Sequence, residues 1–300
     1  GGDEPAAGFA GLAAFLADYY AAMSVLREEE DFFELASAYL ERARRDKVVY
    51  AEMFFDPQAH TSRGVSFDAV IRGIHRAQEW ARSAGGPESE LIMCFLRDHS
   101  VESAEQTLER SLPYRDWILG VGLDSDERGN PPAKFADVFA RARAAGYRVT
   151  VHCDPDQEES VVHLRQCLDV IGVERIDHGV NCLEAEDVCT RLGDDRIGLT
   201  VCPLSNLRLY GDLKAGAVAE MMRRGLLVTV NSDDPAYFGG YLNDNLFALR
   251  DALGLDRREV ARLVRNGFEV AWLEPEDRVA LLARLDDYLA AAGAPVLTDT

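Results

Sequence analysis

The chain has 300 residues, 47% of them hydrophobic, enough to bury a sizeable core in an α/β protein. Its 52 acidic against 32 basic residues give a formal net charge of -20, which argues against a nucleic-acid partner and favours a small-molecule one. No apolar run approaches the roughly 20 residues that cross a bilayer, the opening Gly1-Gly2-Asp3-Glu4-Pro5 lacks the pattern of a secretion signal, and the six cysteines form no CxxC pair, so a cytoplasmic protein with reduced thiols and no membrane partner is expected.

Residues 8–45 place Phe9, Leu12, Phe15, Leu16 and Tyr19, then Phe32, Phe33, Leu35, Ala36, Tyr39 and Leu40, at helical spacing without a proline, which predicts a pair of helices. A repeated grammar follows, in which a short apolar run ends in polar residues and gives way to a stretch with helical periodicity. The runs 48–55, 91–96, 118–123, 147–151, 175–177, 197–201 and 226–230 predict seven strands. Met221 and Met222 fall in an amphipathic helix, where core packing explains them. The tail predicts helices over 242–253, 257–273 and 275–292, with Asp256 and Glu274 as amino-terminal caps, Asp256 the better by type.

The strand ends are chemically loaded: Asp56-Pro57, Arg97-Asp98-His99, Asp124-Ser125-Asp126-Glu127, His152-Cys153-Asp154, His178-Gly179, Cys202-Pro203 and Ser232-Asp233-Asp234-Pro235. Polar groups at the carboxyl ends of successive parallel strands suit a TIM-type (β/α)8 barrel with extra helices; a doubly wound open sheet would gather function at one or two switch points. A closed barrel needs eight strands, and neither the helical opening nor the helical tail offers another. The first strand is therefore expected to precede residue 1. Without a linker, repeat or low-complexity stretch, residues 1–300 read as one domain.

The most informative segment is Ser232-Asp233-Asp234-Pro235. Adjacent carboxylates at a strand end point to different sides, so one can hold a metal while the other faces a ligand. His152 and Asp233 are candidate metal ligands for a hydrolytic site that acidifies a water. Taken singly, a strand-end histidine is more often structural and an Asp-Pro pair often only a turn; their joint appearance at two strand ends favours a metal. His178, next to Gly179, could hold the attacking water or stabilise developing charge, or simply pack in the barrel mouth against Asp177. Gly120-Val121-Gly122 lacks the third glycine of a dinucleotide fingerprint. His60, His99 and His163 read as structural or surface residues, although His60 and Arg63 lie on a loop that could approach a substrate.

The segments 51–64, 122–132, 175–179, 200–206 and 231–240 together resemble the adenosine/adenine deaminase branch of the amidohydrolase superfamily, over nearly the whole chain. Phe54-Phe55-Asp56-Pro57-Gln58-Ala59-His60-Thr61-Ser62-Arg63-Gly64 and Ser232-Asp233-Asp234-Pro235-Ala236-Tyr237-Phe238 are more similar to the adenine deaminases. The resemblance implies zinc-dependent replacement of a purine 6-amino group by water. It also implies that His152 and Asp233 ligate one Zn2+ per chain, that His178 orients the attacking water, that Asp234 bonds the purine at N7, and that the backbone near Ser125 contacts the ring's other edge. The partner implied is a small purine-like substrate, and an acidic surface is compatible with either a monomer or a homo-oligomer.

Two positions depart from the family pattern. Its His-x-His motif, the source of two further zinc ligands, does not occur here; these ligands are expected from the strand preceding residue 1. Where the family has His-Ala-Gly-Glu, this chain reads His152-Cys153-Asp154-Pro155, so the proton-shuttling glutamate is out of register. Glu158 is the first replacement, with Glu159 and Asp154 behind it; the alternative is a solvated acidic loop ahead of a helix over 161–168. The rival readings are a non-catalytic or repurposed homologue lacking a complete metal site, and a hydrolase of a non-purine amine or amide.

Overall fold

The computed structural model describes residues 9–153 and 157–293. Within it the chain divides into two units, residues 1–173 and 174–300.

The first unit begins with α1 (Leu12–Ala22) and α2 (Glu29–Arg45), as the helical spacing predicts. Asp31 starts α2 by accepting hydrogen bonds from the backbone N–H of Arg27 (2.8 Å) and Glu28 (2.9 Å). Acidic residues fill the first turn of α2 and Arg42, Arg44 and Arg45 its last, in the sense that favours the helix dipole.

Four strands follow, β1 (Tyr50–Phe55), β2 (Glu88–Leu96), β3 (Gly120–Asp124) and β4 (Arg148–Cys153), paired in parallel in chain order. Phe55 lies beside Met93, Leu96 beside Asp124, and Gly120 beside Arg148. The connections carry α3 (Pro57–Thr61), α4 (Phe67–Ser83), α5 (Val101–Ser111) and α6 (Ala136–Ala144), and α7 (Ser160–Gln166) follows β4. Parallel neighbours require such crossovers, and β2 shows the consequence: Leu91 through Leu96 are all buried, as in a strand covered on both faces. β2 starts three residues before its apolar run because Glu88, Ser89 and Glu90 already pair with β1.

Two glycines allow close approach in this unit. A Cβ on Gly73 of α4 would stand 2.3 Å from the Glu29 carbonyl oxygen, so glycine brings α4 onto the start of α2. A Cβ on Gly122 would stand 2.5 Å from Cys94 Sγ, and Gly122 therefore makes room for its strand neighbour rather than for a dinucleotide.

In the second unit β5 (Arg175–His178), β6 (Gly198–Val201) and β7 (Val228–Val230) also pair in parallel, in chain order. Helix α8 (Glu186–Asp194) connects the first two strands, and α9 (Pro203–Tyr210) and α10 (Ala215–Arg223) connect the next. Met221 is buried, in line with a packing role. After β7 come α11 (Pro235–Phe238), α12 (Leu242–Leu253), α13 (Arg257–Val270) and α14 (Pro275–Ala291). The Asn266 side chain of α13 donates to the Val228 carbonyl (2.8 Å), tying that helix to β7.

Asp256 caps α13 as expected, accepting from the N–H of Arg258 (2.8 Å) and Glu259 (2.9 Å). Glu274 makes no such side-chain bond; Pro275, whose φ is preset for a first turn, starts α14 without it. Helix α13 ends three residues before its predicted limit because Ala271 turns to extended backbone, and Trp272 stacks under the Arg175 guanidinium, 4.2 Å from its ring centroid. No described helix is long and apolar enough to cross a membrane. All six cysteines are buried free thiols.

Candidate active site

In the first unit the densest polar network surrounds the end of β4. His152 Nδ1 lies 2.7 Å from Glu127 Oε1, and the backbone carbonyl of His152 accepts from Arg97 Nη1 at 2.9 Å. Arg97, at the end of β2, also lies 3.2 Å from Glu127 and is 0% exposed; Glu127 is 1% exposed. His163 of α7 approaches the other oxygen of Glu127 at 3.2 Å. Burial alone would raise the Glu127 carboxyl, but hydrogen bonds to His152 and His163 and the Arg97 charge outweigh it and hold the group well below its usual range. A carboxylate on Nδ1 fixes the histidine tautomer with its proton there, which leaves Nε2 with a lone pair for a metal.

The same unit collects Asp56 just after β1, Cys94 within β2 and Asp124 at the end of β3, with one ligand atom from each within 4.8 Å of the others. Burial pushes the Asp56 carboxyl up to about 6; burial, then the Asp56 charge, raises Asp124 well above its ordinary value. Ser125 follows at once, buried, with φ of 73°, and its Oγ accepts from Tyr20 Oη of α1 at 3.0 Å.

His60 and Arg63 are engaged with the first helices of the chain. Arg63 Nη2 donates to the carbonyls of Met23 (2.9 Å) and Leu26 (3.2 Å), clamping the turn after α1. His60 is buried against Phe32 with its Nδ1 2.9 Å from Arg63 Nη2; burial, then the Arg63 charge, lowers its pKa to about 4, so it stays neutral. His163 is buried, while His99 is partly exposed.

Glu158 and Glu159 are exposed in the turn before α7, whereas Gln157 reaches inward to His163 at 2.7 Å. The third shuttle candidate, Asp154, lies outside the described residues. Helix α7 ends at Gln166 and passes into a wider π turn over Cys167–Ile171.

In the second unit His178 closes β5, Cys202 follows β6, and Asp233 and Asp234 follow β7. His178 Nε2 stands 3.5 Å from Asp233 Oδ2, and Cys202 Sγ completes a group whose ligand atoms lie within 4.8 Å of one another. Burial, then the charges of Asp233, Asp177 and Asp234, push the Cys202 thiol well up. Asp177, beside His178 in the chain, accepts from Thr200 Oγ1 at 2.9 Å and lies 3.9 Å from Arg175. Asp234 turns into α11, its N–H donating to Asp233 Oδ1 at 2.9 Å.

Among the described residues six non-glycines have positive φ, and Ser125 (73°), His178 (59°) and Asp233 (54°) are three of them. Each is a site residue expected from sequence. Left-handed backbone is costly for a residue with a Cβ and persists where the surroundings impose it, commonly at functional positions. Glu127, Arg97 and Tyr20 had no role assigned from sequence; Arg97 and Glu127 stand in the loaded ends of β2 and β3, whereas Tyr20 carried no signal.

A nitrogen donor whose tautomer is fixed and a strand-end carboxylate beside a second imidazole are the donor types zinc takes. Comparison with known proteins agrees with this chemistry. The chain is 47% identical to an adenine deaminase of Hahella chejuensis over 283 residues, 94% of this chain and 84% of that one. It superposes on the crystal structure of an adenine deaminase from Arthrobacter aurescens with a TM-score of 0.90 at 42% identity, covering 94% of this chain and 86% of that one, so its fold class is the α/β TIM-type fold. A Burkholderia ambifaria amidohydrolase crystallised with bound Zn is more distant, with 26% identity and a TM-score of 0.80 over 89% of this chain and 77% of that one. The model of the adenosine deaminase family matches residues 5–288, and the chain whose strand ends carry His152, His178, Asp233 and Asp234 belongs to that family.

Proposed function

We propose that this protein is a zinc-dependent hydrolytic deaminase of a 6-aminopurine, adding water to adenine to give hypoxanthine and ammonia. The observation that carries the reading is the 47% identity, over 94% of the chain, to a protein named adenine deaminase. Retention of His152, His178, Asp233 and Asp234 at strand ends supports it.

In this reading His152 and Asp233 are ligands of one Zn2+ per chain, and the Glu127 carboxylate on Nδ1 presents the opposite nitrogen of His152. Zinc, when bound, supplies acidification of the water that attacks the amino-bearing carbon. His178, 3.5 Å from Asp233, orients that water and takes up its proton. Asp234 anchors the purine at N7, and the backbone near Ser125 contacts the ring's other edge. Glu158 delivers a proton to the ring and then to the departing ammonia. The substrate is small and neutral, and no macromolecular partner is needed.

The test is ammonia and hypoxanthine formation from adenine by the zinc-loaded protein. Asp233→Ala should lose zinc and turnover together, Asp234→Ala should keep zinc and lose turnover, and Glu158→Gln should be slower by roughly 100-fold. A zinc-loaded protein that forms no hypoxanthine would sink the reading. The exposure of Glu158 and Glu159 favours a second one, a purine-binding descendant without turnover, because an exposed carboxyl is poorly placed to act as a tuned acid. Hypoxanthine binding without ammonia release would establish that alternative.

A further inference from the structure

Gln157 lies in the connection from β4 to α7, and its side-chain amide faces two ways. Its Oε1 accepts from the N–H of Glu159 at 3.0 Å, and its backbone carbonyl accepts from the N–H of Ser160 at 3.1 Å, so the residue shapes the turn from which α7 starts. Its Nε2 lies 2.7 Å from His163 Nδ1 and 3.5 Å from Glu127 Oε2. His163 Nδ1 stands 3.2 Å from that same oxygen, which closes a triangle of polar atoms. The two acids that follow Gln157 are exposed, so the inward reach belongs to the uncharged amide.

The carboxylate in this triangle has a second end. Glu127 Oε1 meets His152 Nδ1 at 2.7 Å, while Oε2 faces His163 and Gln157. Arg97, 0% exposed, lies 3.2 Å from Oε1 and donates to the His152 carbonyl at 2.9 Å. In so buried a network water competes little for the polar atoms, and each bond polarises its neighbours. A carboxylate is a rigid fork, so what fixes one of its oxygens fixes the other.

On the reading given under Proposed function, on which this inference rests, His152 is a metal ligand through its opposite ring nitrogen. A cation there makes Nδ1–H a stronger donor to Glu127. We propose that Gln157 and His163 are positioning residues that couple the turn ahead of α7 to the metal site, with Glu127 carrying the state of His152 to residues 157–160. Neither residue touches metal or substrate. The coupling is a binding free energy and runs both ways: the turn held by Gln157 strengthens zinc binding, and residues 157–160 gain protection by the same factor when zinc is bound.

The experiment measures amide hydrogen exchange over residues 157–163 with and without zinc, and zinc affinity by chelator competition, in the wild type, Gln157→Met, His163→Ala and His163→Asn. Zinc should slow exchange at residues 157–160 of the wild type by about fivefold or more. Gln157→Met keeps the length of the side chain and loses both polar atoms; it should lose that slowing and bind zinc more weakly by the same factor. His163→Ala should do likewise, and His163→Asn, with an amide nitrogen near the place of Nδ1, should recover part of both. A merely structural role would speed exchange equally with and without zinc and leave zinc affinity unchanged. Retained protection of β2 shows that a variant is folded; if His163→Ala unfolds, Gln157→Met, altered at a half-buried position, decides alone. A wild type that binds zinc without any change in exchange at 157–160, or a Gln157→Met protein that keeps both the slowing and the affinity, overturns this inference by itself. A wild type that binds no zinc overturns the metal reading, and this inference with it.

Discussion

Glu127 shows how much one buried carboxylate can organise. It meets two imidazoles and a guanidinium, and the guanidinium also holds the backbone of His152. Glu127→Gln keeps the shape and removes the charge, leaving Arg97 buried without a counter-ion at a cost of about 3–5 kcal/mol. Loss of the carboxylate that sets the His152 tautomer should weaken zinc binding by about 10- to 100-fold. Chelator competition on the folded variant measures this, and an unchanged zinc affinity would show that Glu127 serves stability alone. The acidic pair behaves in the opposite sense with pH. Asp56 titrates near 6 in the folded chain against an ordinary value of 3.8, so the native state binds the extra proton between those values. Stability from this group is complete below the ordinary value and is lost as pH rises through about 6. Asp56→Asn should flatten that slope, so that denaturation midpoints at acid and neutral pH move closer together; an identical slope in the variant would discount the pair. Residues such as His152, His178 and Asp233 were legible in sequence because they terminate apolar runs. Glu127 bonds a residue 25 positions away and Tyr20 one 105 away, and no periodicity records contacts at such separations.

At the scale of elements, the strands were legible because parallel strands covered on both faces are spelled as continuous apolar runs. Where boundaries moved, a local interaction replaced the pattern: polar Glu88 to Glu90 joined β2 through pairing with β1, and α13 stopped where Trp272 turned under Arg175. The role of Arg63 was not legible. It sits on the connection after β1, where a substrate contact is a reasonable expectation, yet its guanidinium is spent on the carbonyls that end α1. α1 contributes only Phe15 to the buried core, so the clamp and the Tyr20 bond do much of the work of holding it. Arg63→Ala should therefore speed amide exchange over residues 12–26, by about tenfold for each 1.4 kcal/mol of local stability lost, with the strands still protected. Equal exchange in wild type and variant would mean that the clamp is incidental.

For the whole molecule, the net charge of -20 bears on which purines reach the site. Adenine is neutral near pH 7, and its capture should not depend on the field of the protein; a purine monophosphate is an anion and is repelled over distances set by the Debye length. That length falls from about 30 Å at 0.01 M salt to about 3 Å at 1 M, so salt removes the repulsion and leaves short-range contacts intact. The kcat/KM for adenine should accordingly change by less than about twofold across that range, whereas inhibition by adenosine monophosphate should strengthen severalfold. If inhibition by the monophosphate weakened as salt rose, a basic phosphate site would have to lie at the entrance, and the argument from acidic composition against a nucleic-acid partner would weaken with it.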